Sequence, residues 1–154
     1  MMALHTNKDS AHIMHLIRKN TIGAEIGVWM GNTSTQFLKK GLKKFYMVDP
    51  YSVEPYKNSS EMTYQEWLAK YQPITGEIAE AGFQKFYERV WKEIKSRFEH
   101  MNEVELCRET SDSFFERYLA SKGHGNFEML DWIYIDGDHS YEQCIKDLKN
   151  AQNI

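Results

Sequence analysis

Apolar residues along this chain follow two rhythms, short unbroken runs and stripes spaced three and four apart, and the two alternate. Four runs read as strands: Ile22–Val28, with Glu25 as its only charge, then Phe45–Val48, Val104–Cys107 and Trp132–Ile135. Runs of this kind belong to strands covered on both faces, as in parallel sheets. Each is followed by a helical pattern. Thr33 with Gln36 makes a capping box that opens a helix through Phe37 and Leu38, stopped by Gly41. Phe83, Phe86, Tyr87, Val90, Trp91, Ile94 and Phe98 give the clearest stripe, a core face rather than a cofactor box. Ser113 with Glu116 caps a helix that buries Phe114, Phe115, Tyr118 and Leu119, followed by a Gly123-His-Gly125 loop. Ser140 with Gln143 opens the last helix, along which Tyr141, Cys144, Ile145 and Leu148 recur. A short amphipathic helix over 10–19, capped by Asp9 or Ser10, precedes the first strand on Ile13, Leu16 and Ile17. Strand then helix, four times over, predicts an α/β fold: a Rossmann-like doubly wound parallel sheet in the order 3-2-1-4.

The rhythm fails over residues 51–82, which hold Pro55 and Pro73 and one short helix (Tyr64, Trp67, Leu68, Tyr71) introduced by Thr63 and Glu66. This is a helical insertion after the second strand. It is either a lid or substrate wall over the strand ends, or a surface excursion with a small satellite core.

Length and composition narrow the class without naming it. At 154 residues the chain is a single domain over 1–154, and 42% hydrophobic with 27% charged residues is ordinary for a globular protein. A net charge of −3 offers no general attraction to nucleic acid or an acidic membrane, so neither is an expected partner. The one basic cluster, Lys39, Lys40, Lys43 and Lys44, surrounds a helix end, where cations suit the macrodipole. Two isolated cysteines, Cys107 and Cys144, make no disulfide framework, and no long apolar segment or leader pattern is visible; a cytoplasmic location is expected.

Chemistry concentrates where the runs end. Trp132–Ile135 stops abruptly at Asp136, Asp138 and His139, and in open α/β sheets ligands sit outside the carboxyl ends of the strands. Asp138 and Ser140 also suit a plain helix cap, which leaves Asp136 and His139 unexplained. Gly27 and Gly31 bracket the turn after the first run; they let a ligand approach the backbone or serve packing only, and they lack the dinucleotide G-x-G-x-x-G spacing. Asp49 follows Gly27 at the distance from which an acid accepts from both ribose hydroxyls. Thr110, Ser111 and Asp112 either meet an adenine edge or cap the helix that follows.

Glu25-Ile-Gly-Val-Trp-Met-Gly-Asn-Thr-Ser34, Val48-Asp-Pro50 and Tyr134-Ile-Asp-Gly-Asp-His-Ser-Tyr-Glu142 together resemble the class I S-adenosylmethionine-dependent methyltransferases. The resemblance is strongest to the branch of macrocin and cephalosporin-hydroxylate O-methyltransferases; it covers roughly residues 21–50 and 103–150. It implies that Glu25, Gly27 and Gly31, with Trp29 and Thr33 of the same loop, hold the methionine end of the cofactor. Asp49 would take the ribose, Ser111 and Asp112 would lie near adenine, and Asp136 would be a further cofactor-binding residue, beside the acceptor hydroxyl. Asp136 matches the aspartate that binds a divalent cation, such as Mg2+, in metal-dependent members; Asp138 or His139 becomes the candidate general base, with His139 alternatively a hydrogen-bond partner of the site.

Two features depart from that pattern. Trp29 replaces the middle glycine of many class I enzymes, and the later strands, with the acids that complete a metal site, are missing before Ile154. The fourth strand is then an edge without proline or charge, so association of copies through it, or further chain, is expected. The leading functional expectation is O-methylation of a small-molecule hydroxyl. The alternatives are a non-catalytic cofactor-binding or assembly module and, more distantly, a metal-dependent hydrolase using Asp136, Asp138 and His139.

Overall fold

The structure is a computed structural model, and it describes residues 12–58, 63–77, 79–123 and 128–154. Four strands form one parallel sheet: β1 (Ile22–Ile26), β2 (Lys44–Val48), β3 (Val104–Cys107) and β4 (Trp132–Ile135), in the order β3-β2-β1-β4. The register aligns Ile26 of β1 with Val48 of β2 and Ile135 of β4, so the three strands end level. β2 aligns Val48 with Cys107 of β3, which brings the fourth end to the same edge. The expected strand order is therefore the observed one, with Val28 leaving the first strand for the turn after it.

Helices cover both faces because the strands are apolar on both. On β2, Phe45 and Met47 join one cluster with Phe37, Phe83, Phe86, Ile94 and Phe98, while Tyr46 and Val48 join the other with Phe114, Phe115 and Tyr118. The first cluster lies under α1 (Asn32–Leu38) and α3 (Glu80–Phe98), and the second under α4 (Ser111–Ala120). The stripe on α3 is buried as its spacing demands, with only Trp91 half-buried. β1 is buried along its whole length. Gly23 is obligatory there, since a Cβ would fall 2.1 Å from the Trp132 ring.

The insertion forms a 3-10 turn (Glu54–Asn58) and α2 (Tyr64–Thr75), which opens on the expected capping box of Thr63 and Glu66. Trp67 and Leu68 are buried, with Trp67 stacked 4.5 Å from the Tyr56 ring and 5.1 Å from Phe83. It is a small satellite core fused to the main one.

Several local expectations need correction. The described part of the expected helix over 10–19 is a turn, with Leu16 N–H bonded to Ile13 carbonyl and Leu16 exposed; Asp9 and Ser10 lie outside the described residues. So short a segment gains too little from its own hydrogen bonds to hold a helix, and packing of Ile13, Met14 and Ile17 on the core fixes the turn instead. Thr33 does not cap α1: the helix starts from Gly31 in left-handed geometry with no side-chain cap, and Thr33 is buried inside it. α4 is capped by Thr110, whose hydroxyl accepts from Ser113 N–H, so Ser113 lies within the helix rather than at its cap. On α5 (Tyr141–Gln152) Ser140 is the cap, as expected, but Tyr141 and Leu148 are exposed and the buried residue is Asp147. The loop at Gly123–Gly125 lies partly outside the described residues.

Candidate functional site

The turn after β1 is built to touch the turn after β4. Gly27 has φ +90°, and a Cβ there would fall 2.3 Å from the Asp136 carbonyl oxygen and 2.5 Å from Gly137 Cα. Only glycine allows both the dihedral and the contact. Gly31 also has positive φ, and a Cβ would meet Ile94 at 2.8 Å; this glycine packs against α3 and does not line the cavity. Between them Trp29 sits at φ +50°, a costly position for a bulky residue, held by its N–H bond to Asp49 Oδ2 at 2.9 Å. Arg97 of α3 secures the same turn from below, donating to Met30 carbonyl at 2.7 Å and Thr35 Oγ1 at 2.9 Å.

Carboxylates gather at these strand ends. Asp49 is buried, and its Oδ1 accepts from Tyr51 N–H at 2.8 Å. Burial raises its pKa, and the backbone N–H groups of Trp29, Tyr51 and Val28 oppose the rise. Glu25, 1% exposed on the central strand, accepts a 2.5 Å hydrogen bond from the Ser34 hydroxyl. Burial pushes its carboxyl up to about 8; the Ser34 bond opposes this, and Asp136 and Asp49 add to it. Asp136 accepts from Tyr134 hydroxyl at 3.3 Å and has His139 Nε2 3.7 Å from its other oxygen. That separation is too long for a hydrogen bond but close enough for charge to be felt. His139 is largely exposed at the mouth. Asp138 Oδ1 accepts from Ser140 N–H at 3.0 Å, so it does shape the start of α5.

One cavity of about 1060 Å³ joins these groups. Glu25, Gly27, Trp29 and Thr33 line it from β1 and the turn and helix after it, Asp49 from just past β2, Ser111 and Asp112 from the start of α4, and Asp136, Asp138 and His139 from the loop after β4. The insertion contributes Tyr56, Tyr71 and Ile74, and α3 contributes Tyr87, so the satellite core is a cavity wall as well. The Tyr56 and Tyr87 hydroxyls are pushed up by burial first, and Asp49 adds to each; burial also raises Tyr71, with Asp138 adding to it. Among the described residues no lysine or arginine lines the space, whereas six carboxylates do, so the site favours a ligand that carries positive charge.

Three contributors escaped the sequence reading: Arg97, Gln143 and Asp147. Gln143 Nε2 lies 3.1 Å from Ser111 Oγ and 2.9 Å from Asp147 Oδ1, tying α5 to the start of α4. Gln143 was visible only as half of a capping box, and Arg97 only as a cation in a last helical turn.

The fit for a divalent cation is poor. Among the described residues no group of three or more His, Cys, Asp or Glu side chains is arranged to hold a metal ion. Asp136 meets the Tyr134 hydroxyl at 3.3 Å and has the His139 imidazole 3.7 Å away.

A parallel sheet whose strand ends share one acidic, nucleoside-sized cavity defines a Rossmann-like ligand-binding domain. The chain matches a family model described as "Methyltransferase domain" over residues 24–154, and it belongs to that family. Membership implies S-adenosylmethionine as the methyl donor. No curated protein matches the chain. Among the described residues no helix is long and apolar enough to cross a membrane.

Proposed function

We propose that this protein is an S-adenosylmethionine-dependent O-methyltransferase acting on a hydroxyl group of a small molecule in the cytoplasm. The observation that carries the reading is the single cavity that unites Glu25, Gly27, Asp49, Ser111 and Asp136 at the carboxyl ends of four adjacent strands.

When bound, the cofactor supplies an electrophilic methyl group on a positively charged sulfur. Asp49 would accept from a ribose diol: Trp29 and Tyr51 N–H groups fix its two oxygens and leave lone pairs over, which supports that role. Glu25 and Asp136 favour positive charge at the end of the cavity beneath the Gly27 turn. Ser111 and Asp112, at the start of the helix after β3, line the same cavity and would lie near the base. His139, backed by Asp136, is the group to collect a proton from an acceptor hydroxyl, and Tyr56, Tyr71 and Trp29 screen that region from water. No step is assigned to Mg2+, since among the described residues no group of three or more His, Cys, Asp or Glu side chains is arranged to hold one.

The test is calorimetric titration with S-adenosylhomocysteine, comparing wild type with Asp49→Ala, followed by a search for methylated product with hydroxylated acceptors. Saturable binding that Asp49→Ala weakens supports the reading; no binding by wild type ends it. A second reading, a cofactor-binding or assembly module, draws support from exposed Tyr141 and Leu148 on α5 and from β4 standing at the edge of the sheet. Binding without any methylated product would favour it. Association of two copies through that edge belongs to either reading, and light scattering that finds only monomer at high concentration would remove it.

A further inference from the structure

The cavity is larger than one cofactor needs. Its volume of about 1060 Å³ exceeds the roughly 300–1,000 Å³ that holds a single small ligand, so an acceptor has room beside the cofactor. The wall left for that acceptor is aromatic. Tyr56 and Tyr71 of the insertion line it, with Tyr87 of α3 and Trp29, whose ring lies 6.3 Å from Tyr71 and 5.6 Å from Tyr87. Tyr87 is 2% exposed, and its hydroxyl faces that of Tyr56. Two phenols that face each other can use only one O–H within the pair, which leaves the second for a ligand.

Asp138 belongs to the same wall. It borders the cavity half-buried. Burial raises the Tyr56 and Tyr71 hydroxyls, and the Asp138 charge adds to each, so the carboxylate stands near both. Its Oδ1 accepts from Ser140 N–H, and among the described residues no ion pair joins it. The other carboxylates of the cavity are engaged elsewhere. Glu25 and Asp49 are given to the cofactor, Asp136 backs His139, Asp112 pairs with Lys146 at 2.5 Å, and Asp147 meets the Gln143 amide at 2.9 Å. Lys70 Nζ lies 5.6 Å from the Tyr71 ring, but Lys70 does not line the cavity; His139, as the base, is neutral when it takes a proton.

We propose that the acceptor is a hydroxylated compound carrying a substituted ammonium group, which seats against the Tyr56 and Tyr71 rings beside Asp138 while its hydroxyl faces His139. The proposal rests on the methyl-transfer reading and names the substrate class for that site. Aromatic faces attract such a cation, and a nearby carboxylate reinforces them. An anionic acceptor would be repelled by Asp138. A neutral one would cover that charge without pairing it, which is costly once water is displaced.

The test titrates the intact chain, saturated with S-adenosylhomocysteine, with two probes. Choline carries both a hydroxyl and an ammonium group, and 3,3-dimethylbutan-1-ol has the same shape without the charge. Wild type should bind choline about tenfold or more tightly than the neutral alcohol. Asp138→Asn, which keeps an acceptor for Ser140 N–H, should bring the two within about threefold, and Tyr71→Leu should weaken choline more than the alcohol. Thermal denaturation checks folding, and Tyr71→Leu carries the comparison alone if Asp138→Asn does not fold. Wild type that binds the alcohol as well as choline, or binds no choline, overturns the proposal, as do folded variants that keep the full preference. Failure to bind S-adenosylhomocysteine is a separate outcome: it refutes the cofactor reading itself and takes this proposal with it.

Discussion

Glu25 should make the fold less stable as pH rises, and the size of the effect follows from its burial. The carboxyl is 1% exposed in the central strand, and its pKa is raised from 4.5 to about 8. Below pH 4.5 the group is neutral whether the chain is folded or not, so it costs nothing. Above that value the unfolded chain ionises while the folded one keeps its proton, and the unfolded state gains about 1.4 kcal/mol per pH unit. The penalty reaches about 3 kcal/mol at pH 7 and levels off near about 5 kcal/mol above pH 8. Glu25→Gln keeps the shape and the Ser34 contact but removes the titration. Urea denaturation of both forms between pH 5 and 8.5 isolates the residue, because every other titrating group is common to them. The variant should gain steadily on wild type across that window. Bound cofactor should reverse the logic, since a positive sulfur favours the ionised form; binding should then release a proton and be weakened in the variant. A stability difference that does not change with pH would refute the reasoning.

Other substitutions test other parts of the site. Gly27→Ala forces a Cβ to 2.3 Å from the Asp136 carbonyl at φ +90°, and should cost about 3 kcal/mol or more, seen as a Tm lower by about 10 °C. Arg97→Met removes the donors to Met30 and Thr35 and should cost about 2 kcal/mol in urea denaturation while also weakening S-adenosylhomocysteine binding, although Arg97 does not line the cavity. His139→Ala should lower methyl transfer by about 100-fold or more and leave cofactor affinity unchanged, measured by product formation and calorimetry on one preparation.

What could be read in the sequence was whatever local chemistry fixes. β3 and β4 were legible to the residue because an unbroken apolar run has one stable use, burial on both faces. The stripe on α3 was legible because seven apolar positions at helical spacing leave no other face to bury. Capping was legible at Thr63 and Ser140, where the hydroxyl precedes a regular helix. It failed at Thr33 because a left-handed glycine starts α1 instead, and at Ser113 because Thr110 offers the same hydroxyl three residues earlier. The last helix was misleading. Tyr141 and Leu148 follow the spacing of a buried face, yet α5 turns Asp147 inward against Ser111 and Gln143. Nothing local tells an inward acid from a solvated one; the difference is made by α4 lying alongside. Arg97 likewise gains its role only once α3 has folded beneath the Gly27–Gly31 turn. The candidate site was thus legible where it lies on strand ends, and hidden where helices bring in side chains from elsewhere.

The most direct measurement is a crystal structure of the protein with S-adenosylhomocysteine. The account predicts ribose hydroxyls on Asp49, the amino-acid end at the Gly27 turn beside Glu25, and the base beside Ser111 and Asp112. A ligand bound elsewhere, or one in this cavity with its ribose away from Asp49, would contradict it.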